Sequence, residues 1–543
     1  MTTAAELILS REIDDTTAFL FADRSWSFRE AVAEFRRRAV VAENFIDLPG
    51  PPHVGVLLDN GPEYLFWLGA AAISGRAVVG INSTYRGEQL AQLVRHTDCQ
   101  MLVTSREMRP LLEGLDLGLA PECVIDVDSQ EYEELLDVAA SFSGLSSVSE
   151  EDLFLLIFTS GSTGAPKAVR CTQGRFARTG AHVAQVTELT VGDVVYSSLP
   201  FFHSSSLFTG WASTLSAGVP IAFRPRFSAS QTISDIRRFG ATVMTYTGKV
   251  LNYILAVPET DDDGDSSLRL AIGNEASGRD IVEFSRRFGC DVRDSYGSTE
   301  GIIIIRRDPS MPAGALGRAG ETVKVMNPDS CEECPPVAFD ENGRVTNWLE
   351  AVGEIVDTEP TSGFEGYYKN EEATRARFKD GCYWSGDLAY RDDSGWFYFA
   401  GRSNEWLRVD GENFSAAPVE AIISRHPAVR SVAVYAVPDD PVGDRVMATI
   451  ELEGDADMSA EDFDSFLSSQ PDLGPKWVPQ FVRFVGELPK LASMKIDKQR
   501  LRADAWTKDG VWWRPDRKGP LTPISDPDRD RLDRLLPTFR SLT

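Results

Sequence analysis

Between residues 52 and 128 the chain alternates short apolar runs with longer stretches that carry one apolar face. The short runs predict strands, and the spacing of the longer stretches predicts helices. In chain order these are strand 54–58, helix 63–74, strand 77–81, helix 86–98 and strands 101–103 and 124–127. Strand–helix repeats of this length predict an α/β fold with a parallel, doubly wound sheet.

The same alternation resumes in the middle of the chain. Leu153–Phe158 is an unbroken apolar run that indicates a buried strand. Residues 233–239 have helical spacing, and the runs 241–246 and 267–273 predict two more strands. We therefore expect a large N-terminal region, residues 1–401, built from doubly wound sheets.

The pattern of predicted elements changes at about residue 400, after a strand that ends in Gly401–Arg402. A helix at 418–425, a strand at 432–437 and a helix at 462–467 predict a small α+β domain over residues 405–505. The charged residues of 506–543 predict a surface extension packed by the pair Trp512–Trp513.

Bulk composition excludes several classes of function. The 543 residues exceed what one hydrophobic core uses, so two or more domains are expected. The net charge of −27 argues against nucleic acid as the partner. Seven scattered cysteines indicate reduced thiols in a cytoplasm, and the pair Cys331 and Cys334 lacks the second half of a zinc site.

The sequence also argues against an integral membrane protein. The longest apolar stretch, Leu65–Ile81, contains Arg76 and three glycines, which is short of a membrane span. The first residues carry no basic segment of the kind that precedes a secretory signal. We expect a cytoplasmic protein, with peripheral membrane association left open.

The segment Thr159–Lys167, which reads TSGSTGAPK, follows a predicted buried strand. Glycines let a backbone approach an anion closely, and successive N–H groups form an anion-binding nest. Hydroxyls and one lysine add further donors, so the segment predicts a cradle for the phosphates of a nucleotide. Its spacing fits neither the Walker A loop nor the dinucleotide fingerprint. A flexible surface loop is the alternative interpretation.

Later motifs place aromatic, hydroxyl and carboxylate groups at strand ends. In Asp294–Glu300, Tyr296 is suited to stack on a base, Thr299 to bond a phosphate oxygen and Glu300 to hold Mg²⁺. Asp387 is suited to accept hydrogen bonds from ribose hydroxyls, although an isolated Asp is more typical of a cap or a turn. The three lysines of 488–498 are, by themselves, typical of a solvated loop.

Taken together and in this order, these blocks resemble the adenylate-forming acyl-CoA synthetases over about residues 10–505. The segments Gly273–Glu275, Gly363–Tyr367 and Gly411–Ser415 are most similar to the very-long-chain acyl-CoA synthetase and fatty-acid transport branch. Within it, the chain is similar to bacterial ligases of fatty-acid and sterol side-chain breakdown.

The resemblance implies a two-step reaction. A carboxylate attacks the α-phosphate of Mg²⁺-bound ATP, which gives an acyl-adenylate and pyrophosphate, and the thiol of coenzyme A then displaces AMP. The implied substrate is a long-chain fatty acid or a steroid side-chain acid. Dimers are common in this family, so a homodimer is one expected state.

The resemblance also implies roles for individual residues. The β- and γ-phosphates would be held by Thr159, Ser160, Gly161, Ser162, Thr163, Gly164 and Lys167. The rest of the nucleotide would be bound by Gly273, Asn274, Glu275 and Tyr296 at the adenine, Asp387 and Arg402 at the ribose, and Gly411. The implied catalytic residues are Thr299 at the α-phosphate, Glu300 at the metal, Lys495 between carboxylate and α-phosphate, and His203 near the carboxylate. For His203 a purely structural role is an equal alternative.

Two positions depart from the family pattern. Met494 stands before the late lysine, where the family has glycine, and Asn404 stands at the hinge position, where it has Asp or Lys. The implied hinge covers residues 402–404, and rotation there would exchange the faces that serve the two steps. Asparagine tolerates unusual backbone angles, so we expect the hinge to work.

Two other functions stay open at this point. One is a ligase that passes the acyl group to a carrier protein, and the other is a non-catalytic binder of nucleotide or acid. The second is disfavoured because the charged candidates are all present: Lys167, Glu300, Asp387, Arg402 and Lys495. An apolar acyl tunnel has candidate linings in Phe201, Phe202, Phe208, Trp211 and residues 302–305, although such runs are more often core.

Overall fold

The computed structural model describes most of the chain. The described residues are 2–46, 50–139, 147–159, 167–248, 250–308, 310–312, 315–338, 347–360, 363–402, 406–409, 412–438, 444–454, 456–470, 473–474, 476–491, 494–516 and 519–534. For residues 348–349, 402, 406, 408 and 412–415 only the backbone is described.

Strands and helices alternate through the N-terminal region. Its strands are β1 (Thr17–Phe21), β2 (Arg24–Ser27), β3 (His53–Leu57), β4 (Ala77–Gly80), β5 (Cys99–Thr104), β6 (Val124–Asp126), β7 (Leu153–Thr159), β8 (Lys167–Thr172), β9 (Val195–Ser197), β10 (Ile221–Phe223), β11 (Val243–Thr247), β12 (Leu270–Asn274), β13 (Asp291–Gly297) and β14 (Ile304–Arg306). Its α-helices are α1 (Ala4–Leu9), α2 (Phe28–Glu43), α3 (Pro62–Ser74), α4 (Gly87–His96), α5 (Gln130–Val138), α6 (Gln173–Val186), α7 (Ser213–Ala217), α8 (Ala229–Phe239), α9 (Val250–Leu255) and α10 (Gly278–Phe288). Short 3₁₀ helices cover Arg109–Leu112 and Pro121–Cys123, and a π-helix covers Ser205–Ala212.

These strands form two sheets. The first has the order β14-β13-β12-β11-β9-β10-β1-β2, parallel from β13 to β1 with antiparallel strands at both edges. The second has the order β6-β5-β3-β4-β7-β8, parallel except for β8. The predicted α/β class with doubly wound sheets is therefore confirmed.

Burial explains why the apolar runs were readable as strands. Every residue of β3, β4 and β11 is buried, as expected for parallel strands covered by helices on both faces. The helix between β3 and β4 begins at Pro62 and ends at Ser74, and it is capped by Gly75, whose φ of +68° is the left-handed conformation that suits glycine. One core cluster contains residues of both sheets, among them Phe19 and Val54.

A third, antiparallel sheet follows. Its strands are β15 (Val323–Met326), β16 (Gly353–Asp357), β17 (Phe378–Lys379), β18 (Cys382–Arg391) and β19 (Phe397–Arg402), with helices α11 (Trp348–Ala351) and α12 (Glu371–Arg375). The order is β15-β16-β18-β17, with β19 also paired to β18.

The C-terminal domain contains a hairpin and a second antiparallel-rich sheet. Its strands are β20 (Trp406–Val409), β21 (Glu412–Ser415), β22 (Val429–Pro438), β23 (Asp444–Leu452), β24 (Phe481–Val485), β25 (Val511–Trp513) and β26 (Thr522–Pro523). Its helices are α13 (Ala416–Ile423), α14 (Ala460–Ser468), α15 (Lys498–Asp504) and α16 (Asp526–Asp533). The sheet order is β22-β23-β24-β25-β26, so residues 506–534 continue the domain's own sheet.

Alternation along β22 shows why the tail is needed. Val432 and Val434 point into one core cluster, and Tyr435 and Val437 point into another on the opposite face. The second cluster is completed by residues of the tail: Trp506, Val511, Trp513 and Leu532. In the described part of the chain, no helix combines the length and the apolar character that crossing a bilayer requires.

Candidate active site

Four neighbouring parallel strands of the first sheet end at the same edge, and candidate residues follow most of them. His203 comes shortly after β9, Gly273 and Asn274 end β12, and Tyr296 lies near the end of β13. Because parallel strands share a carboxyl edge, these side chains converge there. This edge is where open α/β sheets bind their ligands.

The Thr299–Glu300 turn, which follows β13, is held from several directions. The Thr299 hydroxyl shares a hydrogen bond with Ser204 Oγ at 2.9 Å. Arg175 Nη2 donates to the carbonyl oxygens of Thr299, at 2.5 Å, and Glu300, at 3.0 Å. Arg175 is buried, and its Nη1 also donates to Arg170 O at 2.7 Å. The sequence pattern gave no sign of this arginine, since its partners are backbone carbonyls.

The Glu300 carboxylate is buried and accepts a hydrogen bond from a tyrosine. Tyr367 donates from its hydroxyl to Glu300 Oε1 at 2.6 Å, and Arg377 Nε donates to the same hydroxyl at 3.2 Å. Lys167 Nζ lies 5.6 Å from the centre of the Tyr367 ring. Burial lowers the pKa of Lys167, and the Arg377 guanidinium lowers it further, while Glu300 acts in the opposite direction.

Only the two ends of the predicted phosphate cradle can be placed. Thr159 ends β7 and Lys167 begins β8, and the two residues pair across this antiparallel hairpin. The predicted phosphate-binding residues Ser160, Gly161, Ser162, Thr163 and Gly164 lie outside the described residues, as do Gly411 and Asn404.

Tyr296 and Asp387 lie together. The Tyr296 hydroxyl donates to Asp387 Oδ2 at 2.6 Å, and burial together with that carboxylate raises the pKa of Tyr296 well above its usual range. Asp387 lies within β18, not in a cap or a turn, and pairs opposite Arg402 in β19. The Arg402 side chain lies outside the described atoms.

The Gly273–Glu275 segment is shaped by close packing. A Cβ on Gly273 would lie 2.1 Å from the Tyr246 carbonyl oxygen, so only glycine fits. Asn274 Oδ1 accepts a hydrogen bond from the Thr247 hydroxyl at 2.7 Å. Glu275 has a φ of +67°, which turns the chain sharply after β12.

The carboxylate of Asp294 is hydrogen-bonded to residues next to this segment. Asp294 Oδ2 accepts from the Tyr246 hydroxyl at 2.8 Å and from the Ala276 N–H at 3.0 Å. Burial raises the pKa of Asp294 to about 6 despite these two donors.

Lys495 comes from the C-terminal domain but lies at the N-terminal sheet edge, where it forms a salt bridge with Glu275. Met494 has a φ of +64° and packs against an N-terminal core cluster that includes Tyr246 and Leu251. A Cβ on Gly248 would lie 3.3 Å from the Met494 carbonyl oxygen. Methionine therefore takes the backbone conformation that glycine favours and adds an apolar contact between the domains.

The lysine loop, residues 488–498 apart from 492–493, also contacts α9 across the domain boundary. Lys490 Nζ lies 3.7 Å from the ring centre of Tyr253 in α9. The loop is therefore seated on the N-terminal region through an aromatic ring, an apolar side chain and one carboxylate.

His203 is half-buried, but its Nε2 is shielded from solvent and has no hydrogen-bond partner among the described residues. Its ring lies 4.6 Å from that of Phe202. Burial, with a smaller effect of Lys495, lowers the pKa of His203 to about 4. The imidazole is therefore neutral at physiological pH and has a ring nitrogen to offer a ligand.

The residues proposed as an acyl tunnel separate into two cores. Phe201, Phe202 and Trp211 belong to the cluster between the first two sheets, and Phe208 packs against it. Ile303 and Ile305 belong instead to the core of the third sheet. The π-helix carries Phe208 and Trp211, and π-helical turns are frequent at functional sites.

No cluster of three or more His, Cys, Asp or Glu side chains suited to a metal is found in the described part of the chain. Glu300 can still serve, because Mg²⁺ commonly binds one or two carboxylates plus substrate phosphates. The second oxygen of the carboxylate, Oε2, has no hydrogen-bond partner within the described residues. This donor set fits a magnesium ion that arrives with a triphosphate.

Comparison with known proteins gives one consistent result. Residues 10–368 match the AMP-binding enzyme family, and residues 418–495 match the AMP-binding enzyme C-terminal domain. The chain is 45% identical over 512 residues to the steroid-22-oyl-CoA synthetase of Rhodococcus jostii, covering 94% of this chain and 92% of that protein. It is 42% identical over 515 residues to the medium/long-chain-fatty-acid–CoA ligase FadD17 of Mycobacterium tuberculosis, covering 94% and 98%.

Solved structures agree on the fold. An anthranilate CoA ligase in complex with anthranoyl-AMP superposes with a TM-score of 0.78 at 22% identity, covering 93% of this chain and 97% of that chain. ATP-bound MatB from Rhodopseudomonas palustris gives a TM-score of 0.77 at 24% identity, covering 92% and 98%.

Proposed function

Because the chain belongs to the AMP-binding enzyme family, we propose that it is an ATP-dependent acyl-CoA ligase acting on a large apolar carboxylic acid. The observation that best supports this proposal is the position of Lys495, which comes from the C-terminal domain and lies at the strand edge where Thr299 and Glu300 lie. A mobile cation there can neutralise two anions that must approach each other, the acid and the α-phosphate.

In the first step, a carboxylate oxygen of the acid bonds to the α-phosphorus, and the bond to pyrophosphate breaks. We assign the β- and γ-phosphates to the cradle between Thr159 and Lys167, the α-phosphate to Thr299, and the acid's carboxylate to Lys495 and His203. Mg²⁺ on Glu300 supplies charge neutralisation of the triphosphate. The remaining ATP contacts fall to Tyr296 and Gly273–Glu275 at the base, to Asp387 and Arg402 at the ribose, and to Gly411.

In the second step, the thiol of coenzyme A attacks the acyl carbonyl carbon, and AMP leaves with the bonding electron pair. Lys495 has no part in this step. Rotation of the C-terminal domain about residues 402–404 would remove the lysine loop and admit the thiol. A homodimer is a further proposal, and it does not enter either step.

The substrate class follows from the relatives, which act on steroid and on medium- or long-chain acids. We propose a steroid side-chain acid or a long-chain fatty acid as the substrate.

The test is pyrophosphate release from Mg²⁺·ATP across a panel of acids, each with and without coenzyme A. The panel contains medium-, long- and very-long-chain fatty acids and steroid side-chain acids. Turnover that depends on coenzyme A with part of the panel identifies the ligase and its substrate class. Release that coenzyme A does not accelerate favours a carrier-loading enzyme, and ATP binding without release from any acid favours a non-catalytic binder.

A further inference from the structure

The hydroxyl of Tyr367 lies between an arginine and the candidate metal ligand. It accepts a hydrogen bond from Arg377 Nε at 3.2 Å and donates one to Glu300 Oε1 at 2.6 Å. A phenol hydroxyl carries its proton at physiological pH, so this group donates to the carboxylate.

The ring that carries this hydroxyl is itself immobilised. Tyr367 is 4% exposed, and its ring packs edge-on against Phe364 at 4.8 Å. Its backbone forms an antiparallel bridge with Val169 in β8, and its N–H donates to the Thr374 hydroxyl at 2.9 Å. A side chain fixed at the ring and at the backbone can set the orientation of its hydrogen-bond partner.

Arg377 extends the same network toward the nucleotide side of the site. Its Nη1 donates to Ser385 O at 2.7 Å, two residues before Asp387 in β18. Lys167 Nζ lies over the Tyr367 ring, 5.6 Å from its centre. Tyr367 thus contacts the end of the phosphate cradle and the candidate metal ligand, and Arg377 links it to the strand of the candidate ribose ligand.

Glu300 has two carboxylate oxygens, and Tyr367 occupies one of them. The other, Oε2, has no hydrogen-bond partner in the part of the chain that the structure describes. The hydrogen bond from Tyr367 engages Oε1 and so favours the carboxylate orientation that leaves Oε2 for a ligand. Such outer contacts to metal-binding carboxylates typically govern metal affinity.

We infer that Tyr367 is a positioning residue, whose hydroxyl orients Glu300 so that its free oxygen receives the metal of Mg²⁺·ATP. This inference rests on the proposed function, since it takes Glu300 as the metal ligand. Tyr367 contacts neither the substrate nor the reacting atoms in this assignment; it acts through Glu300.

The test compares Tyr367→Phe with wild type in a binding assay that involves no turnover. Affinity for ATP is measured by calorimetry in excess Mg²⁺ and again in EDTA, both without acid. The ratio of the two dissociation constants reports the gain in affinity that the metal provides. We expect Tyr367→Phe to reduce this gain about tenfold and to leave binding in EDTA unchanged. The Mg²⁺ concentration that half-saturates pyrophosphate release should rise by a similar factor.

The matched control is Tyr368→Phe, one residue along the chain. Tyr368 also donates to a carboxylate, Asp98 Oδ2 at 2.7 Å, but Asp98 has no place in the proposed site. The control should keep the wild-type metal gain. General damage to the fold would lower ATP affinity in EDTA as well, which separates it from the positioning effect.

Two further variants keep the outcome decisive. Arg377→Lys removes the donor to the Tyr367 hydroxyl and should reduce the metal gain in the same direction, about two- to threefold. Glu300→Gln should abolish the gain. A wild-type gain in Glu300→Gln would refute the metal assignment of the proposed function itself. Loss in Glu300→Gln together with a wild-type gain in both Tyr367→Phe and Arg377→Lys would overturn the positioning role alone.

Discussion

The Thr299–Glu300 turn and the lysine loop meet at one edge of the first sheet, but they are held in different ways. The turn is fixed by a buried arginine, a buried tyrosine and a serine hydroxyl, all within the N-terminal region. The lysine loop rests on that region through a salt bridge, one ring contact and the Met494 side chain. Lys495 and Glu275 are 33% and 46% exposed, so their ion pair is weak.

This difference matches what the two steps require. Groups that bind a charged nucleotide gain from being preorganised, because they then need no rearrangement during the reaction. In the proposed mechanism the lysine loop leaves before the second step, so its contacts need to be breakable at a small cost in free energy. The buried turn and the lightly held loop therefore suit a stationary half and a moving half of one site.

The largest effect on rate is expected from Lys495, the residue of the lysine loop that is proposed to contact the reacting groups. Lys495→Ala should slow acyl-adenylate formation about 10²–10³-fold, the usual cost of losing one preorganised donor. Conversion of supplied acyl-adenylate to thioester should keep its wild-type rate. Each half-reaction is measured separately, by pyrophosphate release and by thioester formation.

A suitable control for this variant is Lys498→Ala, since Lys498 pairs with Glu420 inside the C-terminal domain at 3.0 Å. It should leave both half-reactions nearly unchanged. Equal losses of both half-reactions in Lys495→Ala would refute the division of roles between the two halves.

The stationary half should respond in stability as well as in rate. Arg175→Ala leaves the carbonyls of Arg170, Thr299 and Glu300 without their buried donor. We expect the free energy of unfolding to fall by about 3 kcal/mol, and acyl-adenylate formation to slow at least about tenfold. Urea denaturation and pyrophosphate release measure the two quantities.

Arg178→Ala provides the comparison on the same helix. Arg178 is 58% exposed, and its ion pair with Glu150 is long, at 3.5 Å. Its loss should therefore change the free energy of unfolding by less than about 0.5 kcal/mol. Similar losses in the two variants would show that the turn is not held by Arg175.

A pH test addresses the imidazole of His203, whose Nε2 is shielded from solvent. The pKa of His203 is lowered to about 4 in the folded chain, against about 6.5 when unfolded. The unfolded chain thus binds more protons between these values, so this contribution to stability is full above pH 6.5 and is lost as pH falls toward 4. Lowering the pH from 7 to 5 should therefore reduce the contribution of His203 to the free energy of unfolding by about 2 kcal/mol.

His203→Gln removes that dependence, and urea denaturation of both proteins at pH 7 and pH 5 measures it. The raised pKa of Asp294 acts in the opposite direction, but it is common to both proteins and cancels in the difference. A variant whose stability falls as steeply as that of wild type would show that His203 is protonated normally in the folded state.

The smallest effect concerns the seating of the loop. Met494→Ala keeps the left-handed backbone of this position and removes the apolar contact, so acyl-adenylate formation should slow about threefold. Met494→Gly also loses the contact but relieves the backbone, and should slow the step less. Neither variant should slow thioester formation from supplied acyl-adenylate. A larger loss with glycine than with alanine would contradict the role given to the backbone conformation.

Much of the fold was predictable because parallel strands buried on both faces leave unbroken apolar runs. The predicted strand 54–58 and helix 63–74 correspond to β3 at His53–Leu57 and α3 at Pro62–Ser74. The residue types of the candidate site were visible too, because glycines, hydroxyls and single charges at strand ends are unusual in simple loops. The tail was less readable, since its role depends on the uncovered face of a sheet formed by residues 429–485.

The sequence by itself determined the α/β architecture and the inventory of charged and hydroxyl groups at the site. Only the tertiary structure decided how those groups are held: Arg175 acts through backbone carbonyls, Tyr367 lies 67 residues from the Glu300 that it contacts, and Met494 packs across a domain boundary. The physical reason is the distance along the sequence between the interacting residues. Local pattern reports the burial and conformation of a segment, whereas hydrogen bonds and packing between distant segments exist only once the chain has folded.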